Sequence, residues 1–104
     1  MRGDIFRLRA PRQRVGHAQR GMRYGVVLQT EALATSTLVV APTSTSARPG
    51  LIHPRVEMAG TDTVVLVEQM AAVDPERLGD FAGRVEPAEW EDIEHAVRLV
   101  LGLL

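Results

Sequence analysis

A mainly β domain, a small antiparallel barrel closed by one C-terminal α-helix, is the fold the sequence predicts. Three observations lead there. Five or six short β-branched runs are spread over roughly 85 residues, none of the intervals between them is long enough for a crossover helix, and a single amphipathic helical stretch ends the chain. With 104 residues, 45% of them hydrophobic, and no cysteine, the chain is one domain spanning residues 1–104. A chain this short leaves apolar area in need of cover, which makes self-association the first expectation.

The elements follow in order. Residues 3–9 alternate loosely around Ile5 and Leu8 until Pro11 breaks the pattern, and a long polar loop then runs to Gly21. Val26, Val27 and Leu28 centre a second strand; Leu38, Val39 and Val40 centre a third that stops at Pro42. The hydroxyl-rich loop Thr43-Ser44-Thr45-Ser46 follows, then a strand over 53–58, which Pro54 marks as an edge. Residues 63–67 form an apolar run that reads as buried. Asp74 and Pro75 supply the cap and first-turn proline of one short helical turn through Leu78, and 81–85 make a last brief strand. Pro87 opens the long helix, whose Trp90, Ile93, Val97, Val100, Leu101 and Leu104 recur at the three-and-four spacing of one face. Glu91 with His95 and Glu94 with Arg98 pair on the other side, and the remaining acids near the helix start match its dipole.

Charge is divided along the chain. Residues 1–53 carry eight arginines against two acids, and residues 54–104 carry four against eleven. Arg12, Arg14, Arg20 and Arg23 fall close together in a Gly-containing segment, a composition that suits phosphate contacts. All basic residues are Arg, which a GC-rich genome also explains. Without cysteine there is no disulfide framework and no thiolate metal site, so a reduced, cytoplasmic setting is expected. No apolar run approaches the roughly 20 residues of a membrane span.

Several common sites are absent: no P-loop, no GxSxG, no HExxH, no paired-Cys zinc pattern, and three widely separated histidines. What remains is Arg23 at the start of one strand and the hydroxyls of Thr43, Ser44 and Thr45 at the end of the next. Were those strands neighbours, the two ends would converge, and a guanidinium beside a hydroxyl suits a pentacovalent phosphate. An Arg at a strand start and a Ser/Thr loop also occur together in many domains without chemistry.

In the order and spacing of its motifs the chain resembles the MazF-like (PemK/Kid) toxins. Arg2-Gly3-Asp4-Ile5 is similar to the family's opening "RGDI". The segment from Gly16 through His17, Gln19, Gly21 and Arg23 to Val26-Val27-Leu28 resembles its "G-x-E-Q-x-G-x-R-P-x-V-V-L", and Leu38-Val39-Val40-Ala41-Pro42-Thr43-Ser44 its "VVVP-x-T-S". Val64 to Met70 and Val73 to Leu78 resemble the later "vl-x-dQi-r-t-id-x-x-Rl" stretch. Two positions depart: Tyr24 replaces the proline after the arginine, and Ala18 replaces the loop glutamate.

The resemblance implies an SH3-like barrel, a homodimer, and metal-independent, cofactor-free endoribonuclease action on single-stranded RNA by 2'-hydroxyl attack. It also implies silencing by an antitoxin with an acidic tail. Arg23 then takes the catalytic arginine's position and Ser44 the catalytic hydroxyl's, with Thr45 or Thr43 promoted by a small shift. Arg12, Arg14, His17, Gln19, Arg20, Thr43 and Gln69 are the expected RNA contacts. Gyrase-poisoning toxins of the same fold, which place key residues on the last helix, are the alternative, as is a relative that binds RNA or antitoxin without cutting.

Overall fold

The computed structural model describes residues 1–9 and 23–103. Among the described residues seven strands precede one α-helix: β1 (Asp4–Leu8), β2 (Arg23–Val27), β3 (Leu38–Ser44), β4 (Arg55–Met58), β5 (Thr61–Val65), β6 (Ala71–Val73), β7 (Leu78–Arg84) and α1 (Pro87–Val100). All pairings are antiparallel, in the order β4-β5-β3-β2-β1-β7, with β6 also on β3. The result is a strongly curved β half-barrel with a C-terminal helix.

β3 organises the sheet. Residues 38–40 pair with β6 and residues 43–44 with β5, so the two strands occupy one edge of β3 in succession. Pro42 lies at the seam. Its carbonyl accepts from the Leu66 N–H at 2.8 Å, and because a strand residue's N–H and C=O point to the same side, its missing N–H faces the seam as well. No donor to β2 is lost, and β3 therefore runs two residues past the proline at which the sequence pattern ends it.

Both faces of the central strands are covered, which is why they read as continuous apolar runs instead of alternating ones. Val26 and Ala41 join Ile5, Val56, Val65, Val67, Ile93 and Ala96 in the main core under α1. Val27 and Val40 turn the other way, with Val73, onto Phe6, Leu8, Leu38 and Leu78. Gly25 lets this second cluster close: a Cβ there would lie 2.5 Å from Val40 Cγ1 and 3.0 Å from Leu8 Cδ1. Gly25→Ala is expected to cost about 1–3 kcal/mol by overpacking, which a thermal melt would read as a fall of about 4–8 °C per kcal/mol. An unchanged melting temperature would show that Val40 and Leu8 give way freely.

The opening tetrapeptide is occupied with building the fold. Arg2 stacks over Trp90 of α1 at 4.8 Å. Gly3 adopts φ +89° and ties β2 to the chain before α1, donating to Val27 O at 2.8 Å and accepting from Val85 N at 2.9 Å. Asp4, buried, receives Arg84 Nε at 2.8 Å, and Ile5 enters the core.

Elsewhere the pattern holds with adjustments. β4 is the sheet edge that Pro54 announces, and Asp74 caps the Pro75–Arg77 turn through Glu76 N at 2.9 Å. The 63–67 run divides: β5 ends at Val65, and Val67–Gln69 form a 3-10 turn. The last strand starts earlier than expected, at Leu78, and β6 was not foreseen. In α1, Ile93 and Ala96 are the buried pair, with Trp90, Val97 and Val100 packed partly against the core. Leu101 leaves that face and is 55% exposed, because the helix ends in a Schellman motif. There Gly102, at φ +68°, donates to Leu99 O at 3.2 Å, and Leu103 donates to Arg98 O at 2.8 Å. Leu104 lies outside the described residues. No helix among the described residues is long and apolar enough to cross a membrane.

Candidate active site

Arg23 is the first residue of β2 and Ser44 the last of β3. The two strands pair in a single register, Val27↔Val40, Val26↔Ala41 and Gly25↔Pro42. Continuing that register along the strands sets Tyr24 opposite Thr43 and Arg23 opposite Ser44. The hydroxyl of Thr43 donates to Tyr24 O at 3.3 Å, which holds the strand ends together beyond the last ladder pair. Arg23 is half-buried, and among the described residues its guanidinium has no carboxylate partner and no hydrogen bond.

The three adjacent hydroxyls have different surroundings. Thr43 is buried and turned onto the β2 backbone, so it shapes the strand end instead of facing solvent. Thr45 is exposed. Ser44 is half-buried, and its Oγ accepts from Ser46 N at 3.1 Å and Ala47 N at 3.0 Å, with Ser46 Oγ at 3.3 Å. An oxygen that accepts two N–H groups keeps its own O–H as a donor, polarised by the bonds it receives. Ser44 thus builds the turn after β3 and still has a proton to present.

An open depression of about 180 Å³ adjoins this turn. Ser44, Thr45 and Ala47 line one side, with Arg55, Asp62 and Thr63 from the β4–β5 hairpin on the other. Arg55 and Asp62 lie diagonally across the hairpin, given Arg55↔Val64 and Glu57↔Asp62, and do not form an ion pair with each other. Sequence patterning had not singled them out. Placing the hairpin turn at Ala59-Gly60, where both residues have positive φ, would have brought them onto one face.

Gln69 is exposed, at the end of the Val67–Gln69 turn whose cap, Leu66, is bonded to Pro42. Arg12, Arg14, His17, Gln19 and Arg20 lie outside the described residues. Among the described residues no three His, Asp or Glu side chains gather as a metal would require.

His53 is the titratable group with the most distinctive setting. Its Nε2 lies 2.7 Å from Glu68 Oε2 and its Nδ1 2.8 Å from Arg48 O. The bond to Glu68, and secondarily the Arg48 carbonyl, holds its pKa above the ordinary value of 6.5.

A half-barrel of this topology with a helix behind it is the fold of bacterial MazF toxins. An endoribonuclease from a mycobacterial species, in complex with its cognate antitoxin, superposes with a TM-score of 0.81, over 100% of this chain and 96% of that one at 21% identity. The MazE-MazF structure from Deinococcus radiodurans gives 0.79, over 99% and 96% of the two chains at 20% identity. Rv3098A, a candidate toxin of Mycobacterium tuberculosis, is 36% identical over 99% of this chain and 98% of its own length. The sequence profile of the PemK-like, MazF-like toxins of type II toxin-antitoxin systems matches residues 1–101, and the chain belongs to that family.

Proposed function

We propose that this chain is a metal-independent, sequence-specific endoribonuclease that cuts single-stranded RNA. The observation that carries the reading is the β2–β3 register, which runs a guanidinium without a carboxylate partner among the described residues and a hydroxyl turn to the same edge of the sheet. The substrate's own 2'-oxygen attacks the adjacent phosphorus as the bond to the 5'-oxygen breaks, the 2'-hydroxyl proton passing to solvent and the leaving 5'-oxygen taking one from solvent, which gives a 2',3'-cyclic phosphate and a 5'-hydroxyl. Arg23 neutralises the non-bridging oxygens as charge builds on them. Ser44 donates its O–H to one of these oxygens, with Thr45 next to it at the rim. No cofactor takes part.

RNA approaches along the basic first half of the chain, where Arg12, Arg14, His17, Gln19 and Arg20 contact backbone and unstacked bases. Gln69 reads a base edge, and Thr43 contributes by holding the strand ends. The partners in this reading are single-stranded RNA, a second copy of the chain and a cognate antitoxin. A homodimer accords with the exposed Leu101 and Leu103, 55% and 67% accessible, at the end of α1. An antitoxin with an acidic tail accords with the basic excess of residues 1–53 and with the antitoxin bound to the mycobacterial endoribonuclease. The setting is the cytoplasm.

The test is to incubate the purified protein with a long RNA in excess EDTA and map the new ends. Cuts at a recurring short sequence, each leaving a 5'-hydroxyl, are expected. Intact RNA would move the assignment to a protein-binding toxin of this fold, and cutting that chelation abolishes would require a metal site.

A further inference from the structure

We propose that His53, as the imidazolium, is a positioning residue that clips the Ser44 turn to the rest of the sheet, so that the candidate site is held in its active shape by a protonated histidine. This deepens the ribonuclease reading and rests on it for its effect on cleavage.

A closed circuit of hydrogen bonds carries the inference. From Ser44, the circuit passes to Ala47, whose N–H donates to Ser44 Oγ at 3.0 Å, and on to the next residue, Arg48, whose carbonyl meets His53 Nδ1 at 2.8 Å. The other ring nitrogen meets Glu68 Oε2 at 2.7 Å, inside the Val67–Gln69 turn. That turn is fastened by Leu66 N to Pro42 O at 2.8 Å, two residues before Ser44. His53 is itself fixed by a backbone bridge to Gly50, at 3.1 and 3.2 Å. Most of the 45–53 segment is exposed, with Leu51 74% accessible at its tip, and its backbone tie to the Val67–Gln69 turn is the bond from Val67 N to Ile52 O at 3.3 Å. Among the described residues the ring is the one side chain whose hydrogen bonds join this loop to the Val67–Gln69 turn.

The chemistry of the two contacts specifies the protonation state. A carbonyl and a carboxylate are both acceptors, and neutral imidazole offers one N–H. Only the imidazolium donates to both; when it loses a proton, one nitrogen's lone pair faces an oxygen and that link opens. Glu68 is the charged side chain in contact with the ring. Arg48, which presents its carbonyl, and Arg55, two residues on in β4, are the charged residues of the adjoining segments. Because His53's pKa is raised, the clip is complete below the ordinary histidine value of 6.5 and opens as pH rises through the higher folded value.

The experiment follows the histidine rings and backbone amides of the full chain by NMR from about pH 5 to about pH 9, alongside cleavage rates. Two ring N–H signals are expected for His53, with a midpoint above that of a free histidine, and the Ala47 amide should move with the same midpoint. In Glu68→Gln the side-chain amide can donate to neutral Nε2 while Nδ1–H still serves Arg48. That variant should therefore lower the midpoint yet keep the clip at high pH. The ratio of native to Glu68→Gln cleavage should fall about tenfold as pH rises through the native midpoint. His53→Ala should lower kcat by about tenfold on the acid side of the native midpoint with KM within about twofold. A His53 midpoint at the ordinary value, an Ala47 amide indifferent to it, or a flat native-to-variant ratio would each overturn the clip. Should the native chain cut no RNA at any pH, the ribonuclease reading fails, and the ring and amide signals still decide for or against the clip.

Discussion

An RNA substrate with a single 2'-deoxy nucleotide on the 5' side of the scissile bond is expected to remain intact at that bond while still occupying the site. The proposed chemistry has one nucleophile, the substrate's 2'-oxygen, and deleting it removes the reaction pathway instead of weakening a contact. Cutting should drop at least about a thousandfold, to the level left when covalent machinery is removed and binding remains. Affinity should change little, because phosphate contacts to arginine dominate the binding of single strands. The modified RNA should thus compete with unmodified RNA at close to the substrate's own affinity. Undiminished cutting at the deoxy position would mean that water, and not the 2'-oxygen, attacks the phosphorus, and would overturn the proposed chemistry.

The meeting of β2 and β3 was legible in the sequence because consecutive β-branched runs in a short chain usually pair, and antiparallel pairing brings the start of one beside the end of the next. The edge proline, the capped Asp74 turn and the proline-opened helix were legible for similar reasons, each being a local signal that needs no partner. β6 was not, since Ala71-Ala72-Val73 has little strand propensity of its own and becomes a strand only by pairing with Leu38–Val40. Leu101 was misplaced because periodicity continues through a helix end, and only the positive φ of Gly102 shows where α1 stops. Ala96 carries little apolar signal of its own, yet it is fully buried in the main core under α1. The His53–Glu68 contact joins residues separated by a whole hairpin. No periodicity marks such a pair; it depends on how the turn at Ala59-Gly60 folds β4 onto β5.

Arg23→Ala is the protein variant expected to lose most activity, about a hundred- to a thousandfold in kcat, the range found when one preorganised donor to a developing anion is removed. Its fold should survive, because the guanidinium is half-buried and has no partner among the described residues whose charge would be left stranded. A melting temperature within about 2 °C of the native value is therefore expected alongside the lost activity, as for a substitution that breaks no hydrogen bond or ion pair among the described residues. Arg23→Lys should recover only part of the rate, since an ammonium keeps the charge but not the planar fork that spans two phosphoryl oxygens. Ser44→Ala differs in kind: it removes the O–H donor and also the acceptor for Ser46 N and Ala47 N, so loosening of the turn should accompany the loss of rate. Ser44→Thr restores both functions. If the two side chains act on the same phosphoryl group, the double variant should lose less than the product of the single losses, as for residues that work as a unit. Full multiplicativity would place Arg23 and Ser44 in separate roles, and an active Arg23→Ala would remove the guanidinium from the chemistry altogether.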